Sequence, residues 1–226
     1  MIKQDKINYF ELEYDSKESF LGYYEQIQEV TALNPKNVLE IGPGNGVVTD
    51  YLRKRGIKIT TFDFNKNTNP DIVGDVRKIN DILCDINFDV ILCAFVLEHL
   101  PYNYFLDIIE SLCIHSKHLV LVLPNFAARV IVSAKIPSFK EKRWILSLPW
   151  KKKTSANPNH YWEIGLRGYS LSRIKSDLEE YFEIKKVFTS KEVPYHKFFI
   201  LNSRLERYSD DKYIKRKHLN TSVYTV

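Results

Sequence analysis

Apolar residues at Phe20, Leu21, Tyr24, Ile27, Val30 and Leu33 recur at helical spacing and predict an amphipathic helix. Directly after it, Asn37–Ile41 (NVLEI) reads as a buried strand. GVVTDYLRKRG then fits a helix closed by Gly56, IKITTFD a second strand, and DILCDINFDVILC a helix end running into another buried strand. YNYFLDIIESLCIH returns to the helical period, HLVLVLP is strand-like, and SLSRIKSDLEEYF is helical again. FEIKKVF and YHKFFIL make two closing strands. Strands alternating with helices imply an α/β, doubly wound, mostly parallel sheet that binds its ligand beyond the strands' carboxyl ends.

Composition narrows the picture. A chain of 226 residues, 44% apolar and 13% aromatic, can bury the core of one domain, or of one domain with a cap. The stretch MIKQDKINYFELEYDSKE is charged throughout and unlike a signal peptide, and no apolar run approaches the roughly 20 residues of a membrane span. A cytoplasmic location is expected. Cys84, Cys93 and Cys113 lie in apolar patterns without C-x-x-C or Cys/His spacing, which predicts reduced core residues. The net charge of +5 is unevenly spread: residues 135–153 carry seven Lys/Arg against one Glu, and residues 204–218 carry six against three acids. Such segregation favours an anionic ligand or surface over a neutral one.

The chain has only 8 glycines, yet Gly42, Gly44 and Gly46 fall within five positions between the first strand and its helix. Without a Cβ the backbone can turn tightly and lie against a bulky, nucleotide-like ligand. A G-x-G-x-x-G dinucleotide loop would need a glycine at Val47, so that fingerprint fails. Asp63 ends the second strand 17 residues after Gly46, where a carboxylate can accept from ribose hydroxyls and disfavours a 2′-phosphate. Asp75 follows the third strand, where it could accept from an exocyclic amine with Val76 packed on the ring.

VLEIGPGNG, TTFDFN, GDVRKI and FDVILCAFVLEHLP together resemble the cofactor half of class I S-adenosylmethionine-dependent methyltransferases, over about residues 20–125. GYYEQI and NHYWEIGLRGYSLSRI extend the likeness to a bacterial, small-molecule or glycan-type subgroup of unknown acceptor. The resemblance implies a Rossmann-like, seven-stranded sheet closed by an antiparallel C-terminal hairpin, with S-adenosylmethionine as cofactor. It assigns Glu40, Gly42, Gly44 and Gly46 to the methionine moiety, Asp63 to the ribose, and Asp75 with Val76 to the adenine, with Ala94 and Phe95 alongside. Tyr24 and Gln26 lie on a helix that, in related enzymes, closes over the cofactor. The expected organisation is a methyltransferase domain over residues 1–203, with a cap insertion at 124–168, followed by a basic tail at 204–226.

Methyl transfer from a sulfonium rests mainly on alignment and exclusion of water, and an alcohol or amine acceptor adds a proton to remove. His99, His160 and Glu163 are the candidates for that task. The D/N-P-P-Y motif of adenine and glutamine methyltransferases is absent, and neither a cysteine triad nor a grouped Asp/Asn/His set declares a metal, so none is expected. An NAD-dependent Rossmann oxidoreductase and a non-catalytic nucleotide-binding module are the alternatives. Residues 124–168 mix Phe126, Val130, Ile131, Val132, Trp144 and Trp150 with basic residues including Lys151, Lys152 and Lys153. That mixture predicts a site for a small, glycan-like or lipid-linked acceptor, with an anionic group or peripheral membrane contact favoured. Nucleic acid is disfavoured, since no recognition motif accompanies the basic segments.

Overall fold

The computed structural model describes residues 16–135, 137–138, 142–148, 154–155 and 157–205. Its elements run α1 (Lys17–Ala32), β1 (Asn37–Ile41), α2 (Val47–Lys54), β2 (Lys58–Asp63), β3 (Ile72–Val73), α3 (Ile79–Leu83) and β4 (Phe88–Ala94). They continue with α4 (Phe105–His115), β5 (Ser116–Pro124), β6 (Ala128–Ala134), β7 (Lys142–Leu148), α5 (Leu171–Glu179), β8 (Phe182–Thr189) and β9 (His196–Ser203). The main sheet has seven strands in the order β3-β2-β1-β4-β5-β9-β8. β1 to β5 pair in parallel, whereas β9 pairs antiparallel with both β5 and β8, so the expected closing hairpin is present.

The near-continuous apolar runs of β1, β4 and β5 follow from burial on both faces. The two-residue period of a strand sends Val38, Val90, Leu92 and Val120 towards α1 and α2. It sends Leu39, Ile91, Cys93, Leu119 and Leu121 into the opposite layer beneath α3, α4 and α5. Side-chain caps start two of the helices: Ser16 accepts from the Ser19 N–H at 3.1 Å, and Ser170 from the Arg173 N–H at 3.1 Å.

Three expectations are corrected. The buried stripe of α1 is Gly22, Gln26, Ile27 and Val30, while Phe20 and Tyr24 point outward at 49% and 59% exposure. An all-apolar reading of the helical period missed that Gly22 and Gln26 belong to the inner face. Cys84 is exposed rather than buried, because it ends α3 at positive φ (51°) and its thiol donates to the Asp81 carbonyl at 3.1 Å. The segment 124–168 is not one cap. Residues 157–168 belong to the body: Trp162, Ile164 and Leu166 are buried, and Ile164 exchanges backbone bonds with Pro124 and Phe126. Among the described residues of this segment, the β6–β7 ribbon stands apart, with Val130, Ile131, Val132, Trp144 and Leu146 exposed. Lys151, Lys152 and Lys153 lie outside the described residues, as does the basic tail from residue 206 onward. Arg204 still belongs to the body, donating to Tyr181 and Phe182 carbonyls at 3.0 Å. Among the described residues no helix is long and apolar enough to cross a membrane.

Trp162 has no exposed surface, is ringed by Tyr102, Phe105 and Tyr169, and donates its indole N–H to the Leu100 carbonyl at 3.1 Å. Trp162→Ala is expected to destabilise the fold by about 3–5 kcal/mol, read as a lower denaturant midpoint. A loss below about 1 kcal/mol, the level of a typical surface change, would show that this tryptophan is not a core residue.

Candidate active site

Most of the candidate residues gather where β1, β2, β4 and β5 end. Gly42, Gly44 and Gly46 take φ of 72°, 57° and 77°, a region L side chains rarely enter. At Gly42 a Cβ would also meet Val96 Cγ2 at 2.6 Å, so that position disfavours any side chain. α1 braces the loop, with the Asn45 amide donating to the Tyr23 hydroxyl at 3.2 Å. Behind it lies Glu40, buried and hydrogen-bonded by the Thr49 hydroxyl; burial pushes its carboxyl up to about 7.

A cavity of about 390 Å³ opens in front of this loop, within the range of small-molecule sites. Of the residues expected at the cofactor, Gln26, Glu40, Gly42, Gly44, Asp63, Asp75, Val76, Ala94 and Phe95 line it. Tyr24 and Gly46 do not. Tyr24 faces solvent and the neighbouring Tyr23 lines the cavity instead, a one-residue shift in helical phase; Gly46 sits back as the residue before α2. Asp63 is 5% exposed, accepts from the Asn65 N–H at 2.8 Å, and has its pKa raised by burial. The Asp75 carboxylate is gripped by the Arg77 guanidinium and held below its usual range by it.

At the β4–β5 end the cavity is lined by Glu98, His99, Asn157, Asn159, His160, Tyr195 and His196. Three bonds clamp the segment around residue 160 onto the turn after β4. The Tyr161 N–H donates to the Glu98 carbonyl at 2.8 Å, the Trp162 indole to Leu100, and His99 Nδ1 meets the Asn159 carbonyl at 3.1 Å. That carbonyl accepts only, so His99 carries its proton on Nδ1. Burial lowers its pKa to about 4, leaving the ring neutral at pH 7. His160 Nδ1 lies 2.8 Å from Glu163 Oε1, and its Nε2 lies 3.0 Å from the Asn157 amide nitrogen. Glu163 does not line the cavity; it anchors His160 from behind. Burial raises the Glu163 pKa, but the bonds from His160 and Ser155 outweigh it and hold the carboxyl low.

Sequence reasoning singled out neither Tyr23 and Glu98 nor Tyr195 and His196. Glu98 is fully buried, neither of its carboxyl oxygens is hydrogen-bonded to another residue among the described ones, and burial pushes its pKa to about 8. Its position beside His99 was the available signal. His196 starts β9 opposite Pro124, packs its ring 4.6 Å from Phe95, and is held neutral by burial, its pKa down to about 4. Only the antiparallel return of β9 brings it here. The sequence showed no grouped Asp/Asn/His set, yet the fold brings Glu98, His99 and His160 together, with ligand atoms all within 4.8 Å of one another.

A doubly wound sheet with an antiparallel closing hairpin, a left-handed glycine turn after β1 and an acid ending β2 define a class I S-adenosylmethionine-dependent methyltransferase. The chain belongs to the methyltransferase domain family, which it matches over residues 20–181. It is similar to the ribosomal RNA small subunit methyltransferase A of Metamycoplasma arthritidis, 25% identical over 124 residues, 51% of this chain and 48% of that protein. The chain thus spans about half the length of that relative. Its fold matches the N-methyltransferase NodS from Bradyrhizobium japonicum, solved with S-adenosyl-L-homocysteine, at TM-score 0.57, 13% identity, and coverage of 90% of this chain and 96% of NodS. A methyltransferase from Archaeoglobus fulgidus matches at TM-score 0.56, 16% identity, and coverage of 86% and 98%. The side-chain-free turn at Gly42 and the buried acids at Glu40 and Asp63 suit the bulk and polarity of S-adenosylmethionine, the cofactor expected from the sequence.

Two outcomes are expected. Asp63→Ala should weaken S-adenosylhomocysteine binding by about 2–4 kcal/mol, roughly 30- to 900-fold, while Tyr24→Ala leaves it unchanged in the same calorimetric titration. Glu40 titrates near 7 when folded against 4.5 when unfolded. The folded state therefore holds its proton more tightly, so this stabilisation is complete below pH about 4.5 and lost as pH rises through about 7. Relative to Glu40→Gln, the cofactor-free wild type should lose about 3 kcal/mol across that window in denaturant titrations. A pH-independent difference would show that Glu40 ionises normally.

Proposed function

We propose that this methyltransferase acts on a hydroxyl or amine of a small, glycan-like or lipid-linked acceptor. The observation that carries the reading is the continuity of the cavity, which runs from Asp63 and the glycine turn to Glu98, His99 and His160. Donor and acceptor would therefore meet inside one walled space, as in-line displacement requires.

S-adenosylmethionine supplies an electrophilic methyl group on a sulfonium. Gly42 and Gly44 let the backbone lie against its amino-acid portion, with Glu40 behind them. Asp63 accepts from the ribose hydroxyls. Val76 would pack on the adenine, and Asp75 would accept from its amine. Tyr23 and Gln26 close the cavity from α1, and Ala94 and Phe95 line the passage towards the acceptor. There the Glu98–His99–His160 cluster activates the nucleophile, with Glu163 fixing the His160 ring.

The β6–β7 ribbon supports an amphipathic partner. Consecutive residues Val130, Ile131 and Val132 are exposed, so both of its faces offer apolar surface, and Lys135 and Lys142 border it. A lipid-linked acceptor, or a membrane surface that presents one, suits that pattern. RNA is the second reading, favoured by the name of the ribosomal relative.

The test supplies labelled cofactor to fractionated cell extract. Label in low-molecular-weight or lipid-extractable material supports the proposal; label confined to RNA overturns it in favour of the second reading. With the acceptor so found, His160→Ala should lower kcat by about 10²- to 10⁴-fold, while S-adenosylhomocysteine affinity stays at the wild-type value. An unchanged kcat would remove His160 from the chemistry.

A further inference from the structure

We propose that Glu98, His99 and His160 bind a divalent transition-metal ion at the acceptor end of the cavity. This inference rests on the reading of that end as the acceptor site.

Four observations carry it. The first is the donor set: two imidazoles and one carboxylate, from a turn after β4 and a segment about sixty residues later, with ligand atoms all within 4.8 Å of one another. Two histidines and a carboxylate suit zinc, manganese or ferrous iron and leave coordination positions open. The second is Glu98. A carboxyl group without exposed surface normally has a partner, yet neither of its oxygens bonds another residue among the described ones, and the residue lines the cavity. The third is tautomer. His99 turns its Nδ1 to the Asn159 carbonyl and His160 its Nδ1 to Glu163, which leaves Nε2 of each ring as the lone-pair nitrogen. An imidazole whose far N–H is held by a carbonyl or carboxylate is the arrangement found behind metal-bound histidines. The fourth is Asn157, whose amide nitrogen lies 3.0 Å from His160 Nε2 and marks that atom as the acceptor. Asn157 lies in a turn without regular structure, so an ion can take the amide's place.

Bonds of about 2.1 Å in a tetrahedral site bring ligand atoms to about 3.4 Å from each other. Separations of up to 4.8 Å must therefore close by up to about 1.4 Å, a distance that side-chain torsions of the three residues can cover. The open positions would face the cavity, where an acceptor hydroxyl could ligate and lose its proton more readily. Glu163 then acts as a positioning residue, orienting His160 from behind the coordination shell.

The test uses the untagged full chain, stripped with chelator and desalted. Cobalt(II) at one equivalent should give visible d–d bands of a low-symmetry site. Zinc or manganese should be retained at about one ion per chain after gel filtration, by atomic emission, with magnesium and calcium retained less. Glu98→Gln, which keeps the shape of the side chain, and His160→Ala should each weaken retention at least about 100-fold, and Glu163→Gln about 10- to 100-fold. In all three, thermal unfolding and S-adenosylhomocysteine binding should remain those of a folded, cofactor-competent protein. Absence of cobalt bands and of retained ion in the wild type, or retention unchanged in Glu98→Gln and His160→Ala, overturns the metal site. If S-adenosylhomocysteine binding is normal in that case, the methyltransferase reading stands without the ion; if that binding also fails, the proposed function falls on its own evidence.

Discussion

Parallel strands can be joined only by a crossover, so β1 to β5 all release their chains at the same edge of the sheet. The structure of the site follows from that constraint. Gly42 comes directly after β1, Asp63 ends β2, Phe95 to His99 follow β4, and Asn125 opens the excursion after β5. Because β1 lies between β2 and β4, the cofactor residues and the turn carrying Glu98 and His99 are neighbours despite their separation along the chain. The turn at Gly42 is tight for the same reason. It must clear Val96 at the end of the adjacent strand while its N–H donates to the Phe62 carbonyl on the other side at 2.9 Å.

The cavity is built from groups that cost stability. Glu40, Asp63 and Glu98 are carboxyls with raised pKa values, each because burial penalises the charged form. His99 and His196 are depressed by the same effect. A fold selected for stability alone would place apolar residues in such positions. The concentration of perturbed groups around a single cavity is the electrostatic pattern of a functional site.

Two elements frame that cavity differently. α1 is joined to it tightly: Tyr23 holds Asn45 of the glycine loop, and Gly22 is small because a Cβ there would meet His196 at 2.6 Å. The β6–β7 ribbon, by contrast, pairs only with itself within the sheets and exposes apolar side chains on both faces. Packing of this kind explains a scaffold that is braced at the glycine turn and offers a separate apolar surface on the ribbon.

The order of elements was legible in the sequence, because buried strands read as short apolar runs and surface helices as 3.6-residue stripes. So were the glycine turn, Asp63 and the residues that end β4, since each lies within a few positions of a strand end that the pattern locates. Local pattern failed where two elements compete for a residue. Tyr24 and Tyr23 are equally apolar, and only the docking of α1 on the glycine loop decides which one faces inward. Trp162 belongs to the core rather than a cap because Leu100 and Phe105 lie beneath it, a contact between segments about sixty residues apart. His196 reaches the cavity because β9 runs back against β5, and Glu98 meets His160 because backbone bonds fasten one loop to another. The sequence by itself determined the class of fold and the glycine turn and acids at the strand ends, which depend on local periodicity and turn chemistry. The cluster of Glu98, His99, His160 and His196 was decided by tertiary structure, because distances between loops are set by strand order and packing.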